Sequence, residues 1–226
     1  MEQRYVLKNI KDFEPRHILS VGSVLDGNWK WIGSYTCVFG ENVVNVKKNQ
    51  SEIIFRGICD GEIQEVVTRY FDLNYDYGQA KVLLSKKDKN LEQGIEYGYG
   101  IRILNQSLWE VIISFIISAN NNIPRIKKSI QALSENYGKK IKWDNKTYYT
   151  FPTPEELSKA SVSDLRKLGL GFRDKRVHET TRIIYERRVK LKRIARRERY
   201  NFIKRKINNT PRSGTQSSGL HNVIWT

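Results

Sequence analysis

An α+β fold is predicted, with an antiparallel sheet before about residue 100 and helices after it. Two observations carry this. Short runs of β-branched and aromatic residues recur up to Ile58, each closed by turn-forming residues; from Ile101 onward apolar residues recur every three or four positions. With 226 residues the chain is long enough for one large domain or two small ones with a true core.

The strands come first. Ser34–Phe39 (SYTCVF), Asn42–Lys47 (NVVNVK) and Glu52–Ile58 (EIIFRGI) are separated by Gly40-Glu41 and Asn49-Gln50, a spacing that predicts an antiparallel sheet with one face buried. Tyr70–Lys86 breaks that pattern and is read as the start of the helical part. Ser107–Ala119 sets Leu108, Val111, Ile112, Phe115 and Ile116 at helical spacing. The run stops in Asn120-Asn121-Asn122. Asparagine tolerates left-handed backbone and bonds its own turn, so a sharp corner is expected, with Asn121 and Asn122 as its builders. Pro124 suits the first turn of the next helix, where a missing N–H does no harm. That helix uses Ile126, Ile130 and Leu133 and stops near Gly138.

Lys140–Phe151 is polar and aromatic and reads as a long surface loop. Pro154–Ala160 is expected to be a short helix. Ser161-Val162-Ser163-Asp164 offers capping side chains for Leu165–Leu168, and Gly169 and Gly171 close that helix. Asp174–Val189 forms the next helix. Past Arg187, Lys and Arg dominate as far as Lys206, and Asn208–Thr226 is polar without an apolar period. There is no internal repeat.

Composition excludes several classes of function. Hydrophobic content of 39% and charged content of 28% describe a globular chain, not a disordered one. A net charge of +16 favours a polyanionic partner, nucleic acid ahead of a membrane surface. The amino terminus, MEQRYVLKNIKDF, is charged throughout and lacks a secretory core. No apolar run approaches about 18 residues, so no membrane span is expected, and the expectation is a cytoplasmic, bacterial protein. Cys37 and Cys59 are too few for a disulfide framework or a four-cysteine zinc site, and His17, His178 and His221 are too scattered for a metal cluster.

Three segments then combine. Gly100–Glu110 (GIRILNQSLWE), Ser118–Ile126 (SANNNIPRI) and Leu168–Val177 (LGLGFRDKRV) stand in that order. They resemble the motifs G-x-R-I/L-L-x-Q-D-P-x-E, S-x-N-N-N-I-x-R-I and L-G-L-G-Y/F-R-x-x-x-V of the 8-oxoguanine DNA glycosylase family, a branch of the helix-hairpin-helix DNA glycosylases. The resemblance spans roughly residues 1–190 and is strongest from about Gly98 to Val177. It implies an N-terminal sheet domain over 1–98, an incomplete all-helical glycosylase domain over 99–190, and a basic, aberrant tail over 191–226.

The resemblance also implies chemistry: an 8-oxoguanine N-glycosylase with AP-lyase activity in base excision repair, monomeric, with no metal or organic cofactor. Its partner would be double-stranded DNA carrying 8-oxoguanine opposite cytosine. The target base must leave the stack to be reached, so something must fill the hole and hold the widowed cytosine. By the family pattern Asn120 fills the vacated space, Arg125 and Arg173 hydrogen-bond the cytosine, and Phe172 wedges beside it. The lesion-reading glycine of the family pattern G-Q-x-F-R-W falls on Gly22 of GSVLDG, where only the glycine is kept.

Catalysis in the family uses a lysine that attacks C1′ of the sugar and forms a Schiff base, in a hairpin written L-P-G-V-G-x-K-V-A-D-C. Thr210–Ser218 (TPRSGTQSS) stands there, and Gln216 falls on the lysine. Glutamine cannot form an imine. The family aspartate would lie beyond Thr226. Lys204 and Lys206 are neighbouring amines, but a misplacement of about 1 Å can cost 10²-fold. Residues about 19–30 and 190–226 depart abruptly from the family text, as out-of-frame translation or a decaying gene would produce. The chain is therefore expected to be catalytically impaired. Two alternatives stay open: a non-catalytic binder of damaged DNA, and a generic basic RNA-binding protein.

Overall fold

A computed structural model describes residues 1–19 and 33–186. The fold is α+β. Strands β1 (Gln3–Lys8), β2 (Tyr35–Phe39), β3 (Asn42–Asn49) and β4 (Glu52–Ile58) form one antiparallel sheet in the order β1-β4-β3-β2. The last three are the predicted strands. β1 is an addition at the sheet edge, pairing Gln3 with Gly57 and Lys8 with Glu52. Its alternation is blunted because most of its residues are only half-buried.

Period-2 alternation sends the side chains of β2 and β3 to two different cores. Tyr35, Cys37, Phe39, Val44 and Val46 face a core shared with Phe13, Ile18, Val66, Val67 and Phe71. Those partners come from around helix α1 (Pro15–Leu19) and from helix α2 (Ile63–Tyr70) with the residue after it. The helical part thus starts before Tyr70, contrary to expectation, because Ile63, Val66, Val67 and Tyr70 make one buried stripe. Val38 and Val43 point the other way and meet Trp143.

Trp143 belongs to a hairpin, not to the expected surface loop. Strands β5 (Lys140–Trp143) and β6 (Lys146–Tyr149) pair antiparallel across Asp144 and Asn145, whose φ angles are +49° and +54°. A two-residue hairpin turn with both φ positive favours Asn and Asp, which explains how so polar a segment folds tightly. Ile141, Trp143 and Tyr148 press on the sheet, and the Trp143 indole donates to Glu2 Oε2 at 3.1 Å.

Helices α3 (Tyr77–Lys87) and α4 (Leu91–Tyr97) lead to the GIRIL segment. There Gly100 lets two backbones touch: a Cβ on it would lie 2.1 Å from Glu14 Cβ, and Glu14 N donates to Gly100 O at 3.1 Å. Arg102 is 5% exposed. It donates to the carbonyls of Asp12 (3.0 Å), Phe71 (3.3 Å) and Asp72 (2.6 Å), and its guanidinium lies 4.3 Å from the Tyr77 ring. Burial without a partner would be costly for a charge, and three carbonyls satisfy it. Arg102 so pins the start of the helical layer to the segments before α1 and after α2. That layer is α5 (Leu108–Ser118), α6 (Ile123–Tyr137), α7 (Pro154–Leu157), α8 (Val162–Leu165) and α9 (Asp174–Glu186), with α5 packed on α6 and α9. Its buried residues include Ile113, Ile117, Ile130, Leu133, Leu157, Leu165 and Val177.

Candidate nucleic-acid interface

Two helix corners make the site. The first ends α5, which is anchored by Trp109: its indole donates to Pro152 O at 2.8 Å. Ile113 and Ile117 are buried while Phe115 is 76% exposed, so one face of α5 holds the core and the other is open. Asn120 then takes φ +49°. Asn121 Nδ2 donates to Ile117 O at 3.0 Å, satisfying a carbonyl at the end of α5, and its Oδ1 accepts from Asn122 N at 3.0 Å. Asn122 Oδ1 accepts from Arg125 N at 3.0 Å and so caps α6. The triplet divides its labour as expected, Asn121 and Asn122 building the turn. Asn120 stands exposed at the apex, with Arg125 exposed in the first turn of α6.

The second corner lies between α8 and α9. Ser161 and Asp164 form a reciprocal capping box at α8, with Ser161 Oγ accepting from Asp164 N at 3.1 Å and Asp164 Oδ2 accepting from Ser161 N at 3.1 Å. The chain then reverses through Gly169 (φ +85°) and Gly171 (φ +58°), and Ser129 Oγ of α6 donates to Gly169 O at 3.4 Å. Phe172 projects, 68% exposed, whereas Arg173 next to it is 7% exposed.

Arg173 joins the two corners. Its Nε donates to Ala119 O at 2.8 Å, Nη2 to Asn120 O at 2.7 Å, and Nη1 to Leu170 O at 3.3 Å. Its guanidinium also sits 4.3 Å from the Phe172 ring. Asp174, wholly buried at the start of α9, accepts from Arg166 Nε at 2.6 Å and from Lys175 N at 2.5 Å. Burial opposes its charge, but the Arg166 guanidinium and the Lys175 amide outweigh that and hold the carboxyl below its ordinary value.

Of the residues singled out from sequence, Asn120, Phe172 and Arg173 therefore lie together, with Arg125 on the same turn as Asn122. Gly22, Gln216, Lys204 and Lys206 lie outside the described residues. Sequence reading missed the inward course of Arg173 and the Arg166–Asp174 pair. An acidic residue directly after the GFR turn was the available signal for that pair. An exposed ring, an exposed amide and guanidinium groups on adjoining corners are suited to stacking on bases and reading their polar edges.

Known proteins resemble this chain. Residues 5–112 match the family described as 8-oxoguanine DNA glycosylase, N-terminal domain, and residues 113–215 match the HhH-GPD superfamily base excision DNA repair protein. The boundary between these matches falls inside α5. The chain is similar to the Clostridium acetobutylicum 8-oxoguanine glycosylase/lyase in its apo form, with 37% identity and a TM-score of 0.80 over 86% of this chain and 68% of that one. It resembles the same enzyme in complex with double-stranded DNA containing cytosine opposite 8-oxoG equally well, with 36% identity and a TM-score of 0.80 over the same shares. An N-glycosylase/DNA lyase of Saccharomyces cerevisiae is 51% identical over 85 residues, which is 37% of this chain and 23% of the yeast protein. The chain belongs to the 8-oxoguanine DNA glycosylase family. It spans less than half the length of the curated relatives it matches, 23%, 46% and 44%. Among the described residues no helix is long and apolar enough to cross a membrane.

Proposed function

We propose that this chain engages double-stranded DNA carrying 8-oxoguanine opposite cytosine, as a monomer, and that its N-glycosylase and β-elimination chemistry is impaired. The junction of Asn120 with Arg173 carries the reading, because Arg173 Nη2 donates to the Asn120 carbonyl at 2.7 Å and so brings the two corners together. In this reading Asn120 enters the space left by the extruded base, Phe172 wedges at the neighbouring step, and Arg125 and Arg173 face the widowed cytosine. Cytosine offers O2 and N3 as acceptors, and guanidinium is all donor. Residues 1–98 serve as the sheet domain, 99–190 as the helical glycosylase domain and 191–226 as a basic tail. Impairment rests on Gln216 at the position of the family lysine, since an amide supplies no amine for a Schiff base.

Gel-shift comparison of lesion and undamaged duplexes, run beside borohydride trapping, tests both parts. The expected outcome is preferential binding of the lesion duplex with no covalent adduct. A trapped adduct would overturn impairment, and equal affinity for both duplexes would overturn lesion engagement. A non-catalytic binder of damaged DNA is the second reading, favoured by the same Gln216; it predicts unchanged lesion duplex even at stoichiometric protein.

A further inference from the structure

We infer that the back of the sheet, with the β5–β6 hairpin laid across it, is a second contact surface for duplex DNA, one that grips phosphates without reading bases. The strand period decides which side chains stand there. Val43 and Ile58 face the hairpin. Lys47, four positions from Val43, and Arg56, two from Ile58, emerge on the same face. Arg4 joins them, because it stands directly opposite Arg56 in the β1–β4 register. On the hairpin, Ile141 and Trp143 press on the sheet, so Lys140 and Lys142 alternate outward. Arg4, Lys47, Lys140 and Lys142 are all exposed.

The charge of this face lacks a counterpart. Its acids are engaged: Glu2 with Arg56 at 2.8 Å, Glu52 with Lys8 at 3.7 Å, and Glu41 with Lys139. Asp144 is left, in the hairpin turn. Among the described residues Arg4, Lys47, Lys140 and Lys142 have no ion-pair partner. Like charges directly opposite on neighbouring strands repel, and Glu2 pairs with only one arginine of the Arg4–Arg56 couple. Lys47 on β3 and Arg4 on β1 have β4 between them, which separates their backbones by about 10 Å or more. One small anion cannot bridge that distance, whereas a repeating polyanion can. Among the described residues no strand contributes an exposed large apolar side chain, so the surface has charge without the anchor that a bilayer would take.

The surface is separate from the two corners. Helix α6 starts at the Asn120 corner and runs 15 residues to Tyr137, a rise of about 22 Å, and β5 begins at Lys140. The hairpin therefore stands at the far end of α6 from Asn120 and Arg125. Nothing in this inference needs a lesion, so it goes beyond the function proposed above and does not rest on it.

The first arm of the test compares two triple variants that lose equal charge. One is Lys47→Gln, Lys140→Gln and Lys142→Gln. The control is Lys86→Gln, Lys87→Gln and Lys89→Gln, exposed lysines at and just after the end of α3. Affinity for a long undamaged duplex is followed against salt concentration. The first triple should flatten the slope of log affinity against log salt by about one per lysine, and the control should leave it nearly as it was. An unchanged slope in the first triple, or an equal flattening in both, overturns the proposal. The ratio of lesion to undamaged affinity should survive in the first triple, because the corners are untouched. If the unmodified chain has no lesion preference, the function proposed above fails, and the slopes still decide this surface.

The second arm needs no variant. The unmodified chain is acetylated with acetic anhydride, with and without undamaged duplex, and read by mass spectrometry. The duplex should protect Lys47, Lys140 and Lys142 and leave Lys86, Lys87 and Lys89 reactive. Equal reactivity of the first three in both conditions overturns the inference. Protection of those lysines by phosphatidylserine vesicles but not by duplex would assign the face to a membrane and overturn it as well.

Discussion

The corner at Ala119–Asn122 and the corner at Gly169–Asp174 perform one task, ending a helix so that a side chain projects, by opposite means. The first is held by neutral amides bonding to nearby backbone: Asn121 to Ile117 O, Asn122 to Arg125 N. Each such bond contributes about 0.5–1.5 kcal/mol net. The second combines glycine backbone freedom with two buried charged side chains, Arg173 and Asp174. The first corner is a sum of small terms that can be removed one at a time. The second concentrates its stability in a few residues, each hard to replace, and it lends an arm to the first through Arg173.

The sharpest way to break this contrast is Gly171→Ala. Gly171 combines φ +58° with ψ −136°, a region closed to residues with a β-carbon, and the expected destabilisation is about 1–3 kcal/mol. Urea unfolding monitored by tryptophan fluorescence measures it; a cost near zero would place the two corners on an equal footing. Asn122→Ala should do less. Removing the N-cap of α6 costs about 1 kcal/mol, read from the same unfolding curves. A cost above that of Gly171→Ala would reverse the ranking.

The smallest effect is confined to acid. Asp174 has a carboxyl held below its ordinary value of 3.8, so its contribution to stability is complete above 3.8 and drains away as pH falls through the lowered folded value. The gap in thermal midpoint between the unmodified chain and Asp174→Asn should therefore be steady from neutral pH down to about 4 and narrow below it. A gap that stays open at pH 2.5 would mean that the pairing with Arg166 does not supply it.

Much of this was legible in sequence where one physical signal dominated. β2, β3 and β4 were legible because β-branched and aromatic runs between turn residues mark strands, although a second core also covers Val38 and Val43 on the face expected to be open. The Asn triplet was readable as a corner because left-handed tolerance and capping are properties of asparagine itself. Failures came where tertiary contacts outvoted composition. β1 is an edge strand with charges at Arg4 and Lys8, and β5 and β6 are four residues each, lysine-rich, and held by Trp143 against the sheet. The proposed interface followed the same rule. Asn120 and Phe172 were singled out by pattern, and both are exposed. Arg173 turns inward, because two carbonyls one helix away offer better terms than water, and no local pattern announces a partner 54 residues distant. The catalytic expectation on Gln216 and the lesion-reading expectation on Gly22 fall outside the described residues.

The hairpin on the back of the sheet has a consequence for synthesis. Val38, Val43 and Ile58 leave the ribosome well before Trp143 and Tyr148, the side chains that cover them. At ordinary elongation rates the delay is on the order of ten seconds. During that interval a completed, β-branched surface lacks the hairpin that covers it, so the nascent sheet is the stage at which a holding chaperone, or a lower growth temperature, should raise the yield of folded protein.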